Sequence, residues 1–231
     1  MQIIDCGLIP YGEALDLQER LAAAIAEGSE DETLLLLEHP PVYTIGRGGS
    51  SAHILDPAIT AERVNRGGEV TCHGPGQVVG YPLVNLGRRG RDLHRWLRLL
   101  EEVLRRTLAA FGISGQCRPG RTGIWTVRGK IAFIGVGVRR WITMHGFALN
   151  VCPDLHAFSR INPCGIPGCP VISMAQELGL PPSQAAVKRQ LQKNFSALLQ
   201  ERLPISWRRP ATPLRSPGVA SHLATGHGID R

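Results

Sequence analysis

RGGEVTCHGPGQVVGYP, residues 66–82, sets a short β-type run, Glu69–Thr71, between two glycine clusters. Gly67–Gly68 precede the run and Gly74-Pro75-Gly76 follow it. Glycines this dense let a backbone approach a ligand closely or reach positive φ, which other residues do only at a cost. Arg66, His73 and Gln77 place a fixed charge, a titratable ring and an amide around the same bend. Composition alone is satisfied equally well by a plain hairpin with glycine turns. Neither G-x-G-x-x-G nor the phosphate loop G-x-x-x-x-G-K-[ST] occurs here, so the glycines are not a nucleotide fingerprint.

Upstream of this stretch, Thr33–Glu38 (TLLLLE) is a continuous apolar run closed by His39-Pro40-Pro41, which suits a buried strand. Val42–Ile45 resumes an extended path into a second glycine bend, Gly46-Arg47-Gly48-Gly49. Gln2–Cys6 reads as a short strand. Gly12 to Glu27 reads as a helix, with Leu17, Leu21 and Ile25 four apart and Gly28 as its stop. Ser51–Asn65 is expected to be a loop with a short helical turn.

Downstream, Val78–Leu83 reads as a strand. Asp92 is a good N-cap for a helix with Leu93, Trp96, Leu97, Leu100, Leu104, Leu108 and Phe111 on one face and Gly112 after it. Gly123–Val127, Lys130–Val138 and Met144–Val151 read as successive strands, with Arg128-Gly129 as a hairpin separator. Ser173 with Gln176 forms a capping-box pair for a short helix ending at Gly179. Gln184–Leu203 carries a last amphipathic helix through Val187, Leu191, Phe195, Leu198 and Leu199. Mixed order and hairpin connections point to an α+β domain with a mixed or antiparallel sheet. Residues 1–207 are expected to form that domain, and residues 208–231, poor in apolar side chains, a disordered tail.

A chain of 231 residues can bury one sizeable core. No apolar run is long enough to span a membrane, and MQIIDCGLIP lacks the basic and apolar regions of a secretory signal, so the expected location is the cytoplasm. The formal net charge of +7 implies acidic partners. No basic-aromatic binding motif marks nucleic acid, whereas acidic proteins match the sign of the field. Arginines 95, 98, 105 and 106 on the Asp92 helix read most simply as a solvated face. The six cysteines lie at 6, 72, 117, 152, 164 and 169 without a C-x-x-C pair, which favours free thiols, most of them buried. Adjacent Cys72-His73 is poor for one metal ion, and no metal site is expected.

Cys164 lies in INPCGIPGCP, between Pro163 and Gly165, with a constrained backbone and a small neighbour. Cys169 and Cys72 are competing thiols. A cysteine nucleophile works as thiolate, favoured by a nearby cation. Lys130, opening the apolar strand KIAFIGVGV, can be that cation; its bland alternative is a lysine reaching from a strand end to solvent. His73 and His145 are the alternative bases, and each is more often a structural hydrogen-bonding ring.

PVYTIGRGG (41–49), RGGEVTCHGPGQVVGYP (66–82), GKIAFIGVGV (129–138), HGFALNV (145–151) and INPCGI (161–166) occur together and in order. This set resembles the octanoyl-[acyl-carrier-protein]:protein octanoyltransferases of lipoate biosynthesis, and the likeness runs to about Trp207. The resemblance implies the fold of biotin protein ligases and lipoate-protein ligases, a mixed sheet with packed helices. It implies a Cys164/Lys130 dyad without cofactor, and substrate-binding segments at Arg66, Gly67, Gly68, Glu69, Val70, Thr71, Cys72 and His73, at Phe133, Ile134 and Gly135, and at Gly146, Phe147 and Ala148. Cys72 stands where relatives carry a larger residue, a change expected to alter pocket width. Octanoylated acyl carrier protein is the implied donor. Lipoyl domains of 2-oxoacid dehydrogenase E2 subunits and glycine cleavage H protein are the implied acceptors. Ile134, Val136 and Phe147 are expected to line an acyl slot, and amides near Gly74–Gly76 or Gly165 to hold an oxyanion. An ATP-dependent lipoate-type ligase and a non-catalytic carrier-binding module are the competing readings.

Overall fold

The computed structural model describes residues 1–205; the tail expected from residue 208 lies outside the described residues. In chain order the elements are β1 (Gln2–Leu8), α1 (Tyr11–Glu27), β2 (Thr33–Glu38), β3 (Val42–Ile45), β4 (Ala61–Arg63), β5 (Val70–His73) and β6 (Gln77–Leu83). There follow α2 (Leu93–Ala109), β7 (Gln116–Arg118), β8 (Arg121–Trp125), β9 (Lys130–Arg139), β10 (Ile142–Asn150), α3 (His156–Ser159), α4 (Met174–Leu178) and α5 (Gln184–Arg202).

TLLLLE becomes β2, the second strand of a seven-stranded sheet ordered β1-β2-β6-β10-β9-β8-β7. Its four leucines divide between the two faces, as the strand period of two requires. Leu34 and Leu36 join α2 and α5 on one side; Leu35 and Leu37 join α1 on the other. A strand covered on both faces has no polar side to show, which is why its sequence reads as an unbroken apolar run. β1 pairs parallel with β2, while β2–β6, β6–β10, β10–β9 and β9–β8 are antiparallel, so the sheet is mixed as expected.

On α2, the Asp92 side chain accepts the Arg95 N–H at 2.9 Å, and Trp96, Leu99, Leu100, Val103, Leu104 and Leu108 are buried. Full burial of one such side chain is worth about 1.5–3 kcal/mol, more than helix propensity supplies. Leu93 and Leu97, read as core from their spacing, lie off this face: Leu93 is 39% exposed. The Ser173–Gln176 capping box is present at the start of α4, with Gly179 in the left-handed conformation after it.

The 66–82 stretch joins the two sheets: Val70–His73 is β5 of a second sheet, β4-β3-β5, and Gln77–Pro82 belongs to β6 of the first. β4 falls inside Ser51–Asn65, which the sequence presented as loop; three residues with one apolar member, Ala61, carry no readable alternation. Gly46 explains the glycine bend before it. A Cβ there would lie 2.1 Å from Gly68 O and 2.9 Å from Gly67 O, so only glycine lets the two loops touch.

Only Cys72 among the six cysteines is buried. The expectation of mostly buried thiols fails because Cys6 and Cys117 sit on the two edge strands and Cys152 just beyond β10. No helix among the described residues is long and apolar enough to cross a membrane.

Candidate active site

β9 begins at Lys130, and the chain fixes that residue from both sides. Its N–H donates to Pro170 O at 2.7 Å, and the Ile172 N–H donates to Lys130 O at 3.0 Å. The side chain is 1% exposed, so it does not reach solvent from the strand end. Gly123 on β8 makes the room: a Cβ there would stand 2.9 Å from Lys130 Cε. Nζ donates to Thr122 O at 2.9 Å and to Cys164 Sγ at 3.1 Å. It also lies 4.8 Å from the Phe133 ring centroid and 5.3 Å from that of Trp125, whose faces attract a cation. Among the described residues no carboxylate forms an ion pair with it.

Cys164 sits in a tight turn, Pro163–Gly165, at φ 59° and ψ 22°. A left-handed conformation costs a non-glycine residue about 1–2 kcal/mol, and such strain clusters at functional sites. Gly165 continues the left-handed turn at φ 70°, and a Cβ there would approach Glu69 Cγ to 3.1 Å. The Asn162 N–H donates to His53 O at 2.7 Å and anchors the turn to the loop before β4. Burial pushes the neighbouring Cys169 thiol up.

Both residues line a cavity of about 630 Å³ between β5 of the small sheet and β8, β9 and β10 of the large one. The cavity also collects Arg66, Gly67, Gly68, Glu69, Val70, Thr71 and His73, then Phe133, Ile134 and Gly135, then Gly146, Phe147 and Ala148. Ile134, Val136 and Phe147, the expected acyl-slot residues, are on its wall. Cys72 is not. It is buried in a cluster with Ile45, Val70, Phe133, Phe158 and Ile161, two of which, Val70 and Phe133, are wall residues, so it packs behind the wall. The proposed oxyanion amides are also displaced. Gly76 N–H donates to Glu38 Oε2 at 2.8 Å and Gly165 N–H to Asn162 O at 3.0 Å, so both are already engaged.

Arg66 organises the glycine loop from within. Its guanidinium donates to Gly67 O at 3.1 Å, Glu69 O at 2.9 Å, Thr44 O at 2.9 Å and Thr44 Oγ1 at 2.8 Å. Arg66 Nε and Thr71 Oγ1, by contrast, are buried with no hydrogen-bond partner. Such groups cost about 1–3 kcal/mol each when left unsatisfied.

Away from the thiol, the cavity wall is built of rings: Tyr11, His73, Tyr81 and His145. His73 Nδ1 and Gln77 Oε1 are 2.6 Å apart; Gln77 Nε2 donates to Asn150 Oδ1 at 2.8 Å, which orients the amide so that the imidazole N–H donates. Behind them His39 lies 2.7 Å from Ile9 O and 2.8 Å from the Tyr81 hydroxyl. His145 bonds Asn65 through Nε2, with the Tyr11 hydroxyl 3.4 Å from Nδ1. Burial drives His73 down to about 3 and, with Arg66 and Arg47 adding to it, His145 down to about 4. Neither ring hydrogen-bonds Cys164. Tyr11, Tyr81 and Thr122 are wall residues that the sequence did not single out, and Leu93 and Leu97, named for the apolar face of α2, line the wall as well.

The lipoyl protein ligase A/B catalytic domain model matches residues 10–196. An octanoyltransferase of Geobacter metallireducens is 59% identical over 204 residues, covering 88% of this chain and 96% of its own length. Another octanoyltransferase, from Geotalea uraniireducens, is 58% identical over 205 residues, 89% of this chain and 96% of its own. Among solved structures, an ATP-bound lipoate-protein ligase A superposes with a TM-score of 0.69 at 16% identity, covering 86% of this chain and 85% of that one. Biotin protein ligase from Aquifex aeolicus, with biotin and ATP, gives 0.54 at 15% identity over 87% and 71%. These two likenesses establish the fold, and the sequence relatives establish the rest: the chain belongs to the lipoyl protein ligase A/B catalytic domain family, and within it to the octanoyltransferases, which are acyltransferases.

Proposed function

We propose that residues 1–207 form a catalytic unit that moves an octanoyl group from the thioester of acyl carrier protein to a lysine of a lipoyl domain, through an acyl-enzyme on Cys164. The observation that carries this reading is the 3.1 Å contact between Lys130 Nζ and Cys164 Sγ inside a largely apolar cavity. A buried amine whose other bonded partner is a carbonyl oxygen is within reach of the thiol's proton. With the proton on Lys130, the sulfur is an anion held by an ammonium.

The thiolate attacks the thioester carbonyl carbon. A new C–S bond to Cys164 forms, the C–S bond to the carrier arm breaks, and Lys130 returns a proton to the leaving thiolate. In the second half-reaction the acceptor amine attacks the same carbon. An amide bond forms, the bond to Cys164 breaks, and Lys130 accepts the proton lost by the amine. Arg66 Nε and Thr71 Oγ1 supply donors for the acyl carbonyl. Ile134, Val136, Phe147 and Ala148 take the alkyl chain. The thioester is already activated, so the sequence of bonds requires no adenylate. Lipoyl domains of E2 subunits and the glycine cleavage H protein are the acceptor class, and the setting is the cytoplasm.

Intact mass after mixing with octanoylated carrier protein, without ATP, tests the proposal. The expected result is one octanoyl group on the wild-type chain, none on Cys164→Ala, and loss of the group when a lipoyl domain is added. A ligase would acquire nothing without ATP, and a carrier-binding module would acquire nothing at all; either outcome overturns the reading.

A further inference from the structure

The basic residues divide into two groups that a net charge cannot tell apart. On α2, the arginines are used inside the molecule. Arg98 pairs with Glu101 at 2.5 Å, Arg105 and Arg106 each reach Glu102 at 2.8 Å, and Arg95 donates to Arg202 O at 2.7 Å. The arginines around Glu102 hold its carboxyl down at about 2. Apart from Arg95, whose partner is a carbonyl oxygen, the arginines of that face are paired with glutamates.

The β9–β10 hairpin is the opposite case. Arg139 pairs across the sheet with Ile142, leaving Arg140 and Trp141 as a two-residue turn. Both are left-handed, at φ 51° and 65°, and Arg91 on the adjoining loop is left-handed at 53°. Two-residue hairpins of this twist favour Asn-Gly, because bulky side chains are strained there. The only other non-glycine residues with positive φ among those described are His145 and Cys164, both on the cavity wall. Arg91 lies 5.7 Å from the Trp141 ring centroid, and the Leu86 N–H donates to Trp141 O at 2.8 Å, which locks loop and hairpin together. Arg91, Arg139, Arg140 and Trp141 are all exposed. None of the three arginines forms an ion pair with a described residue, although Glu19 shares a shallow crevice with Arg139 and Arg140.

This tip borders the end of the cavity opposite Lys130, which lies nine residues from Arg139 on β9, about 30 Å along the strand. Val136 and His145 on its two strands are wall residues, three residues from Arg139 and Ile142, or about 10 Å along a strand. Leu93, two residues beyond Arg91, is another. The geometry points to this Arg91–Arg139–Arg140–Trp141 tip as the docking surface for the acidic carrier domain that delivers the thioester. The inference rests on the transfer reading above and adds where the donor sits. Free positive charge attracts an acidic partner, steers its approach, and is weakened by salt. Trp141 offers the apolar anchor that such interfaces centre on.

The test measures single-turnover acylation of Cys164 with two donors, octanoyl carrier protein and octanoyl-pantetheine, a small thioester without the acidic domain. Arg139→Glu with Arg140→Glu should slow acylation by the carrier tenfold or more and flatten its salt dependence, with the small thioester unaffected. Arg140→Asn with Trp141→Gly relieves the turn, so it should raise the melting temperature while still slowing the carrier reaction. A purely structural tip would show both quantities moving together, and that result overturns the proposal. So does equal slowing with both donors, no slowing with either, or a loss confined to transfer from preformed acyl-enzyme to the lipoyl domain, which would make the tip an acceptor site. Wild-type chain that takes an acyl group from neither donor would instead overturn the transfer reading.

Discussion

One cavity has two walls built from titratable groups, and they behave differently. At the Cys164 wall, a buried amine meets a thiol and a carbonyl oxygen, with aromatic faces around it. At the other, His73 and His145 are tied to amides and phenols and held neutral by burial. Hydrogen bonds satisfied among neutral partners fix a shape, whereas an amine in contact with a thiol sets a base beside a nucleophile. In the proposed reaction it is therefore the partner, and not burial alone, that singles out the proton-transfer pair.

The hardest blow to this contrast comes from removing the sulfur. Cys164→Ala should abolish octanoyl capture and transfer while the far-ultraviolet circular dichroism stays native, and Cys169→Ala should keep at least about half the wild-type rate, because truncating an unused thiol removes no transition-state contact. Equal loss in both variants would dissolve the single-nucleophile assignment. Next in size is Lys130. General acid–base groups contribute about 10²–10⁴-fold, so Lys130→Ala should lose at least about a hundredfold in transfer and slow iodoacetamide alkylation of Cys164. Lys130→Arg keeps a cation near the sulfur but cannot give up its proton, so it should alkylate quickly and transfer poorly. Both readings require a native melting profile. If alkylation of Lys130→Ala matches wild type, another group activates the thiol.

Legibility in the sequence followed how local the determinant is. The β2 leucines, the Asp92 cap and the Ser173–Gln176 box are decided within a few residues, and the structure holds each of them. The glycine stretch was visible, but the reason for Gly46 lies more than twenty residues away in Gly68 O, a contact no window can show. Cys72 is absent from the wall because the resemblance marks a whole segment, while burial behind Val70 and Phe133 is decided residue by residue. Leu93 and Leu97 were misassigned for the converse reason: helical spacing identifies an apolar side chain without saying whether core or cavity receives it. The left-handed Arg140–Trp141 turn had no signal at all, since nothing in Arg-Trp favours that conformation.

Smaller effects sharpen the contrast from the imidazole side. If His145 only holds shape, His145→Gln should change the alkylation rate of Cys164 by less than about threefold, well below the general-base range. The readout is the rate across about pH 6 to 9, taken at equal folded fraction. A profile displaced to the position seen in Lys130→Ala would move His145 into the proton-transfer group and erase the distinction between the walls.

Stability against pH probes the same wall without any reaction. His73 and His145 fold with values near 3 and 4, and His39 is lowered in the same direction by burial. In the unfolded chain each binds a proton near pH 6.5. Below that point the unfolded state holds more protons than the folded one, so stability falls with pH, by up to about 1.4 kcal/mol per pH unit for each ring, until the folded value is reached. Above about pH 6.5 neither state is protonated and the contribution is constant. Urea unfolding should therefore give a level free energy from about pH 8 to 7 and a decline from about 6.5 to 5, before most carboxylates titrate. Replacing His73 with Gln should lower stability at neutral pH by removing the ring's packing, yet make the acid slope shallower, because one proton-binding group has left the unfolded chain. A free energy that stays level down to about pH 5 would mean that these rings already carry protons when folded, and the wall would then be cationic rather than neutral.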